Sequence, residues 1–466
     1  MKRHEALAGD LDRMIRSGKL RTGDRVPSVR SLCRTRGVSR STVLRAYESL
    51  ELNGLIEPKP RAGFFVAGPR TPPPRISPPK LRSASVAVSD LVFQTLEASR
   101  DREVVPFGSA FPGPSLFPWA KLARYLGSGA RHMDPWSTVE SLPPGNLELR
   151  RQIARRYLRL GMSVDVEQIV VTAGALEALN LALQAVTNPG DTIAIESPAF
   201  YGCLQAAERR RLKVVEIPVS PGAGLDIDAL SRAIAEHPVR AFWSMPTLHN
   251  PTGSTLPTER KRELVQLLSR NDIPLIEDDA YAELQFASPA TPPAKAFDER
   301  GIVLHCGSFS KCLAPGYRLG WVAAGRFAHD VARRKIESSL ATSLPIQLAV
   351  AQMLKRGGYD AHLARLRQSL AARQGAAFKS LRRHLSQEYR LVPPDGGYFF
   401  WIDCPKRVQA LEVHRQALEF GITIAPGPVF SPGRAFGNFI RLNTGHPWTA
   451  ASEHAMARLA AILERF

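Results

Sequence analysis

The fold of this 466-residue chain is decided by Asn250-Pro251-Thr252-Gly253, Asp278-Asp279-Ala280-Tyr281, Ser308-Phe309-Ser310-Lys311 and Arg318. Each of these is weak evidence alone, because most lysines are solvated surface groups and a Ser-rich run is usually only a turn. Together they place a hydrogen-bond donor, a carboxylate, a lysine and an arginine in order along the chain, with strand-like apolar runs before two of them. This combination predicts one binding pocket.

The residue types in this pocket match the needs of pyridoxal phosphate, an aldehyde that attaches to a lysine as a Schiff base. Lys311 supplies the amine, and Asp278 supplies the carboxylate that keeps the pyridine nitrogen protonated, so that the ring acts as an electron sink. Asn250 and Tyr281 are suited to donate hydrogen bonds to the phenolic oxygen of the ring. The dianionic phosphate needs a guanidinium and hydroxyl groups. We expect these from Arg318, Ser308 and Ser310.

The order and spacing of these residues resemble fold-type I aminotransferases, the aspartate aminotransferase superfamily, which have an α/β fold. The resemblance implies catalytic roles for Lys311, Asp278 and Tyr281. Residues 169–172 form a short apolar strand that leads into a glycine-containing turn and a helix, so that backbone amides can face an anion. In fold-type I aminotransferases, which the sequence resembles, this turn binds the cofactor phosphate. The resemblance therefore adds Gly174 and Ala175 to the cofactor-binding residues.

Two further positions match the same superfamily. Phe200 stands where the family has an aromatic residue that stacks on the pyridine ring; an ordinary core aromatic residue is the alternative. Arg441 interrupts the apolar run Phe439-Ile440-Arg441-Leu442-Asn443. It matches the family's arginine that binds the substrate carboxylate, a task that suits a bidentate guanidinium. A surface arginine on an edge strand is the alternative for Arg441.

The first seventy residues have a different character. They carry fifteen Lys and Arg against seven Asp and Glu, which accounts for +8 of the net charge of +19. This density of positive charge indicates a polyanionic partner. Apolar residues recur at helical spacing from Leu7 to Ile15, Pro27 lies in the first turn of a second helix, and Gly37 precedes a third helix capped by Ser39. The pattern predicts helix-turn-helix geometry.

Two short strands are predicted after these helices, at residues 54–57 and 63–66, and they form a wing with a basic tip at Lys59 and Arg61. The run 1–68 resembles the GntR-type winged helix, an α+β fold. A small helical dimerisation or interaction domain stays the alternative, because helix-turn-helix folds also occur outside DNA binding. The resemblance carries the family's DNA contacts over to Arg30, Ser39, Arg40, Ser41, Thr42 and Gly63.

A Pro-rich basic linker, residues 69–103, is predicted between the DNA-binding domain and the aminotransferase-like domain, residues 104–466. Its first part, up to about residue 85, holds six prolines and four Lys or Arg. This composition favours extended polyproline geometry and cannot bury a core. We expect a semi-rigid tether.

The overall composition bounds the class of protein. A hydrophobic content of 44% is ample for more than one core. No run approaches the roughly twenty apolar residues that a membrane span needs, and the start lacks the apolar core of a signal peptide, so we expect a cytoplasmic protein with no membrane partner. The five cysteines are odd in number and lack CxxC spacing. We therefore expect neither a disulfide framework nor a metal site.

The layout as a whole resembles the MocR-type subfamily of GntR transcription regulators, in which a GntR winged helix is fused to a fold-type I aminotransferase-like domain. The resemblance implies a homodimer that binds double-stranded operator DNA and senses an amino acid or amine through pyridoxal phosphate. An active aminotransferase that transfers amino groups between amino acids and 2-oxo acids, with an accessory DNA-binding module, is the alternative. Because Lys311, Asp278 and Arg441 are retained, aminotransferase activity stays open.

Two positions depart from the pattern of the aminotransferase superfamily. Glu140 stands where the family usually has a tyrosine that reaches the cofactor phosphate of the neighbouring subunit. Ala110 stands where a glycine commonly lies against the substrate carboxylate. Such changes affect turnover more than cofactor binding, so we expect the cofactor to be retained.

Overall fold

The protein is described from a computed structural model, which covers residues 3–16, 19–20, 23–59, 63–67, 83–97, 103–131, 133, 136, 139, 141–287 and 289–466. The chain divides into two compact units, Met1–Pro72 and Pro73–Phe466. Glu140, Arg61 and the proline-rich part of the predicted linker, 69–82, lie outside the described residues. Among the described residues, no helix is long and apolar enough to cross a membrane.

The smaller unit has the predicted winged helix-turn-helix fold. Its elements are α1 Arg3–Arg16, α2 Val29–Arg36, α3 Arg40–Leu52, β1 Ile56–Lys59 and β2 Gly63–Val66. Ser28 and Ser39 cap α2 and α3, since each hydroxyl accepts a hydrogen bond from the backbone N–H three residues later. Leu7 and Leu11 of the predicted apolar stripe are buried in the core. The strands β1 and β2 pair antiparallel and form the wing.

The larger unit alternates strands and helices, as the fold-type I resemblance implies. Its helices are α4 Ser89–Glu97, α5 Trp119–Arg131, α6 Leu147–Arg159, α7 Ala175–Val186, α8 Tyr201–Arg209, α9 Ile227–Glu236, α10 Thr258–Arg270, α11 Ala328–Ser339, α12 Leu344–Lys355, α13 Gly358–His384, α14 Ala410–Glu419 and α15 Ala450–Leu463. Its strands are β3 Ile169–Thr172, β4 Thr192–Ser197, β5 Lys213–Ser220, β6 Gly224–Leu225, β7 Val239–Ser244, β8 Leu275–Asp278, β9 Val303–Ser308, β10 Gly320–Ala323, β11 Arg390–Leu391, β12 Phe399–Asp403, β13 Ala425–Pro426 and β14 Phe439–Asn443.

A large mixed sheet forms the centre of this unit, with strand order β3-β10-β9-β8-β7-β4-β5-β6. The strands β9, β8, β7, β4 and β5 run parallel, and β10 runs antiparallel to both of its neighbours. Every residue of β3, β4, β8 and β9 is buried, as expected for strands covered on both faces. Because the carboxyl ends of parallel strands meet at one edge, Asp278 and Ser308, which end β8 and β9, lie at the same edge of the sheet.

A second sheet carries the predicted carboxylate-binding arginine. It has the order β11-β12-β14-β13 and its strands pair antiparallel. Strand β14 lies between β12 and β13, and all five of its residues are buried. Arg441 is the middle residue of β14 and is 1% exposed, which excludes the alternative of a surface arginine on an edge strand.

The helix α4 lies within the segment predicted as a linker. Val88, which directly precedes α4, and Val92, in its first turn, are 2% and 1% exposed and pack into the hydrophobic core of the larger unit. Glu208 on α8 accepts hydrogen bonds from the backbone N–H groups of Val88 and Ser89, both at 3.1 Å, and so caps α4. Residues 83–97 thus pack on the larger unit, whereas the sequence placed them in the tether. The predicted domain boundaries stay predictions.

Candidate cofactor site

Lys311 follows β9 and reaches into the interior of the larger unit. Its Nζ donates a hydrogen bond to the carbonyl oxygen of Ala110 at 2.8 Å and lies 3.9 Å from the ring centroid of Phe111. Burial lowers the pKa of the Lys311 amine to about 7, and the positive charges of Arg441 and Arg318 act in the same direction. A large fraction of this amine is therefore neutral near pH 7, which is the nucleophilic form that attaches to an aldehyde.

Asp278 ends β8 and is 1% exposed. Burial raises the pKa of its carboxyl group to about 7, and the nearby Asp279 and Glu196 add to the rise, whereas Lys311 opposes it. Its Oδ1 accepts one long hydrogen bond, 3.4 Å, from the backbone N–H of Ala280. A buried carboxylate with so few partners is stabilised by a cationic or N–H group brought to it, which a protonated pyridine nitrogen would supply.

The turn between β3 and α7 lies against Arg318. Nη1 of Arg318 donates to Oγ of Ser310 at 3.1 Å, and Nη2 donates to the carbonyl oxygen of Ala173 at 3.4 Å. Gly174 has a φ of 91° and precedes the first residue of α7, Ala175, so the amide groups at this helix start are open to an anion. Oγ of Ser308 accepts a hydrogen bond from the backbone N–H of Ser310 at 3.0 Å. The four predicted phosphate-binding elements are thus connected through Arg318 and Ser310.

Glu177 fixes this turn from the other side and was not predicted from the sequence. Its carboxylate accepts hydrogen bonds from the backbone N–H of Ala173 at 2.6 Å, from Nζ of Lys335 at 2.8 Å and from Oγ of Ser339 at 2.5 Å. Burial alone would raise the pKa of Glu177, but the hydrogen bonds from Lys335 and Ser339 lower it. Ala173 is therefore held at its N–H by Glu177 and at its carbonyl by Arg318.

Asn250 and Arg441 are in direct contact. Nη1 of Arg441 donates to Oδ1 of Asn250 at 2.9 Å, and Nη2 donates to the carbonyl oxygens of Gly108 and Ser109 at 2.7 and 3.3 Å. The guanidinium also lies 4.2 Å from the ring centroid of Phe399. Burial lowers the pKa of Arg441. Nδ2 of Asn250 and Nε of Arg441 are buried and have no hydrogen-bond partner among the described residues.

Tyr281 and Phe200, the two predicted aromatic residues, occupy different surroundings. Tyr281 is buried against Tyr398 and Phe399, with ring centroids 5.9 and 5.6 Å apart, and burial raises the pKa of its hydroxyl. Its ring lies 5.8 Å from Nζ of Lys311. Phe200 precedes α8 and lines a small cavity with Glu196 and Cys203 among others.

Ala110 and Tyr398 contribute contacts beside Lys311 that the sequence does not predict. The hydroxyl of Tyr398 donates to the carbonyl oxygen of Ala110 at 3.0 Å, the same oxygen that accepts from Lys311. Nδ2 of Asn443 donates to the carbonyl oxygens of Ser109 and Phe111, at 2.9 and 2.7 Å. The segment 108–111 is therefore held over Lys311 by its backbone carbonyl groups.

Three buried residues next to Asp278 form a cluster of possible metal ligands: Glu277, Asp279 and His305. A carboxylate oxygen of each acid and a ring nitrogen of the histidine lie within 4.8 Å of one another. Nε2 of His305 lies 2.8 Å from Oδ2 of Asp279, and its Nδ1 lies 2.7 Å from the hydroxyl of Tyr157. Glu277 accepts hydrogen bonds from the backbone N–H groups that follow at residues 294 and 295. Each of the three residues therefore has a hydrogen-bond partner within the protein, and the absence of a metal site stays a prediction.

The predicted DNA-contacting residues lie on α2, at the start of α3 and in the wing. Arg30, Arg40, Ser41 and Gly63 are exposed, and Thr42 is half-buried. Oγ of Ser39 is used inside the protein, because it accepts from the backbone N–H of Thr42 at 3.2 Å and lies 2.9 Å from Oγ of Ser41. The structure thus gives Ser39 a role in capping α3 in addition to the DNA contact predicted for it.

The residues of the larger unit fit pyridoxal phosphate by their chemistry. An amine of lowered pKa, a buried carboxyl group with few partners and an arginine beside a helix start match the aldehyde, the pyridine nitrogen and the phosphate. A Cβ atom on residue 174 would lie 2.7 Å from Nη2 of Arg318, so only glycine leaves this approach open. Nδ2 of Asn250 is a buried donor whose partner the phenolic oxygen of the ring would be.

Comparison with known families gives two matches. Residues 137–459 match the family of class I and II aminotransferases. Residues 3–66 match the gntR family of bacterial regulatory proteins. The two matches fall in the two compact units, one in each.

The chain is also similar to individual proteins over most of its length. The chain is 45% identical to an uncharacterised HTH-type transcriptional regulator of Escherichia coli K12, YdcR, over all of this chain and 99% of that protein. It is 36% identical to a second one from the same strain, YjiR, over 100% and 99% of the two chains. Among solved structures, a kynurenine aminotransferase of Pyrococcus horikoshii in complex with PMP superposes with a TM-score of 0.75 at 25% identity, covering 83% of this chain and 95% of that chain.

Proposed function

We propose that this chain, which belongs to the class I and II aminotransferase family and carries a DNA-binding domain of the bacterial gntR family, is a transcription regulator that uses pyridoxal phosphate to sense an amino compound. The observation that carries the proposal is the half-buried Lys311, whose Nζ lies beside Ala110 and Phe111 and has a lowered pKa, in the same chain as a winged helix-turn-helix unit. A purely metabolic transaminase has no use for a winged helix. The presence of this unit therefore favours a transcription regulator over a metabolic enzyme.

The cofactor would be held by three groups of residues. Lys311 would form the covalent link, and Asp278 would hold the proton of the pyridine nitrogen. Arg318, with Ser308, Ser310 and the turn that begins α7, would bind the phosphate. When bound, pyridoxal phosphate supplies an electron sink for the α-carbon of an amino compound.

The chain's own residues prepare this site in two ways. Burial keeps much of the Lys311 amine neutral, so the lysine both attaches readily and can be replaced by the amine of a ligand. Segment 108–111 and the ring of Phe111 cover Nζ of Lys311 and restrict the access of water to it. Tyr281, whose ring lies 5.8 Å from Nζ of Lys311 and whose hydroxyl keeps its proton because burial raises its pKa, would donate a hydrogen bond to the ring oxygen.

Arg441 would bind the carboxylate of the ligand, with Asn250 orienting its guanidinium through the bond to Nη1. A guanidinium in a buried strand binds a carboxylate strongly because both groups are shielded from water. The sensed compound would then be an amino acid, and an amine without a carboxylate would bind more weakly.

The DNA-binding unit would bind an operator through Arg30, Arg40, Ser41, Thr42 and the wing at Gly63. A ligand that prefers one conformation of the larger unit shifts the equilibrium between conformations, and the linked winged helix reports that shift as a change in operator affinity. Because operator DNA lies in the cytoplasm of bacteria, we place the protein there.

A homodimer is the expected functional form, since operators for paired helix-turn-helix units occur as repeats. Three hydrophobic side chains on or just after the contacting helices α7 and α11 are exposed: Leu176 by 45%, Ile336 by 49% and Leu340 by 54%. Their exposure supports a subunit interface beside the phosphate turn. Sedimentation of the cofactor-loaded protein tests this: a monomer that retains the cofactor fully would contradict it.

The second candidate is an active aminotransferase with an accessory DNA-binding module. It is favoured by the presence of Lys311, Asp278 and Arg441 together. The two candidates differ in turnover, because a sensor needs one binding event per response, whereas an enzyme releases many equivalents of 2-oxo acid.

The deciding experiment is a titration of the purified protein with each common amino acid and with carboxylate-free amines, recorded as the visible spectrum of the cofactor. It is repeated with double-stranded DNA selected from a random pool for binding to the protein. We expect at least one amino acid to change both the spectrum and the DNA affinity. If the spectrum responded to none of these compounds, the proposed sensing function would be wrong. Sustained release of 2-oxo acid would establish that the protein is an active aminotransferase.

A further inference from the structure

A small cavity lies between α4 and the predicted carboxylate-binding arginine. Its walls include Val92 and Thr95 from α4 and Gly108, Tyr201, Val429 and Arg441 from the rest of the larger unit. Apart from the guanidinium, these walls offer aliphatic groups, one aromatic ring and the threonine side chain. Arg441 is 1% exposed, and its Nε has no hydrogen-bond partner among the described residues. The cavity thus adjoins a buried cation with unused hydrogen-bonding capacity.

The wall formed by α4 is firmly attached. Glu208 accepts three hydrogen bonds at the start of this helix, from the N–H groups of Val88 and Ser89 and from Oγ of Ser89 at 2.7 Å. Just before the helix, Ala84 and Val214 exchange two backbone hydrogen bonds of 3.0 Å. Because α4 is anchored at its start, Thr95 in its last turns has a fixed position beside the cavity.

Gly108 connects this cavity to the guanidinium of Arg441. Its carbonyl oxygen accepts from Nη2 at 2.7 Å, which is a position that a ligand carboxylate would also need. A carboxylate that binds Arg441 through both terminal nitrogens therefore competes at Nη2 with the carbonyl oxygens of Gly108 and Ser109. Since Gly108 is also a wall of the cavity, its displacement opens the space beside Arg441 towards α4.

We propose that α4 forms one wall of the ligand pocket, so that Thr95 and Val92 determine which ligand side chains are accepted beside Arg441. This inference rests on the proposed function in one respect, that Arg441 binds the ligand carboxylate. The apolar walls select an amino acid with a small, largely apolar side chain. The chain that follows the DNA-binding unit passes through α4 before it reaches Gly108, so a ligand in this pocket contacts a helix of the larger unit that comes early in that unit's sequence.

Thr95→Leu and Thr95→Ala test the inference in opposite directions. Thr95→Leu fills the cavity and should weaken the spectral response to the larger of the accepted amino acids by roughly tenfold or more, since a single methylene in such a pocket changes binding by about 10- to 200-fold. Thr95→Ala enlarges the cavity and should shift the preference towards larger amino acids. Gln94→Leu, an exposed neighbour on α4, is the matched control and should respond as the parent does.

Cofactor content and thermal stability of each variant are measured first, because a folding defect would lower the response to every amino acid alike and could not produce opposite preferences. Hydrogen exchange of residues 84–97 provides a second readout, and we expect slower exchange when alanine or another accepted amino acid saturates the protein. Unchanged preferences in both Thr95 variants, in a parent that does respond, would overturn this inference and leave the proposed function intact. A parent that responds to no amino acid would instead overturn the proposed function.

Discussion

Gly174 and Arg318 are packed so closely that a Cβ atom on residue 174 would lie 2.7 Å from Nη2 of the arginine. Gly174 also has a φ of 91°, in the left-handed region that favours glycine. Residue 174 must therefore be glycine for two separate reasons. Its backbone has a positive φ, and Arg318 leaves no room for a Cβ atom. The two reasons can be separated by experiment.

Gly174→Ala should loosen the cofactor, because the added methyl group displaces Arg318 from the phosphate turn. We expect a rise of roughly tenfold or more in the Kd for pyridoxal phosphate, since hydrogen bonds to charged groups contribute about 1.5–3 kcal/mol. Alanine in this backbone conformation, which is essentially restricted to glycine, should also lower the free energy of unfolding by about 1–3 kcal/mol. Equilibrium dialysis of the cofactor and thermal unfolding of the apo-protein measure the two effects.

Gly190→Ala is the matched control for this substitution. Gly190 has a φ of 92°, and an added Cβ would meet no atom within 4 Å. It should lose stability to a similar extent while its Kd for the cofactor stays at the parent value. A Kd that changes equally in both variants would mean that the contact with Arg318 is irrelevant to cofactor binding.

Arg441 and Arg318 should have separable functions. Arg441→Ala should weaken amino-acid binding, measured through the cofactor spectrum, by about 2–4 kcal/mol, as expected when one partner of a buried charged pair is removed. It should leave the affinity for the cofactor unchanged. Arg318→Ala should instead raise the Kd for the cofactor. Titration of both variants with amino acids and with carboxylate-free amines decides between them. Equal amino-acid affinity in Arg441→Ala and the parent would mean that the ligand is held without its carboxylate.

Uptake of pyridoxal phosphate by the apo-protein should depend on pH through Lys311. Burial lowers the pKa of its amine from 10.5 to about 7, so the protonated form predominates below this pH and the neutral, nucleophilic form above it. The rate of covalent attachment should therefore rise as pH increases through about 7 and then level off. An unperturbed lysine would give a rate that still rises steeply between about pH 8 and pH 10.

Lys311→Ala is the control for the pH profile. It should bind the cofactor without a link that borohydride can reduce, and its uptake should lack the rise near pH 7. A borohydride-reducible adduct that persists in this variant would show that another amine carries the cofactor.

The sequence was sufficient for both folds, and it predicted several of the residues that the structure brings together around Lys311 and Arg318. Asp278 ends one buried strand and Lys311 follows another, and such apolar runs are readable from composition and order. The backbone contacts were not readable, because the carbonyl of Ala110 that accepts from Lys311 carries no signal in its side chain. Glu177 was missed for a related reason: a glutamate in the first turn of a helix is common, and its bonds to Lys335 and Ala173 depend on tertiary packing.

The helix α4 shows how composition can mislead over a short segment. Prolines up to residue 79 predict an extended tether, but none occurs from residue 80 to residue 103. The run that begins at Ser89 instead has valine and leucine residues at helical spacing and is anchored by a distant side chain, Glu208. Helices of this length are stabilised mainly by packing, which a single sequence does not display.

Arg40 at the exposed start of α3 should contribute to sequence-specific DNA binding. Arg40→Ala should weaken binding to the selected operator by about 1–3 kcal/mol if its side chain reads a base edge, and should weaken binding to unrelated DNA much less. Arg13→Ala is the control, because it removes the same charge from α1, where Arg13 is ion-paired with Asp10. It should leave the ratio of operator affinity to affinity for unrelated DNA unchanged.

Binding of both variants is measured over a range of salt concentrations, because phosphate contacts release counterions and make affinity fall steeply with salt. If Arg40→Ala lost affinity equally for the operator and for unrelated DNA, Arg40 would be a phosphate contact. The base-reading role would then have to pass to another exposed residue, such as Ser41.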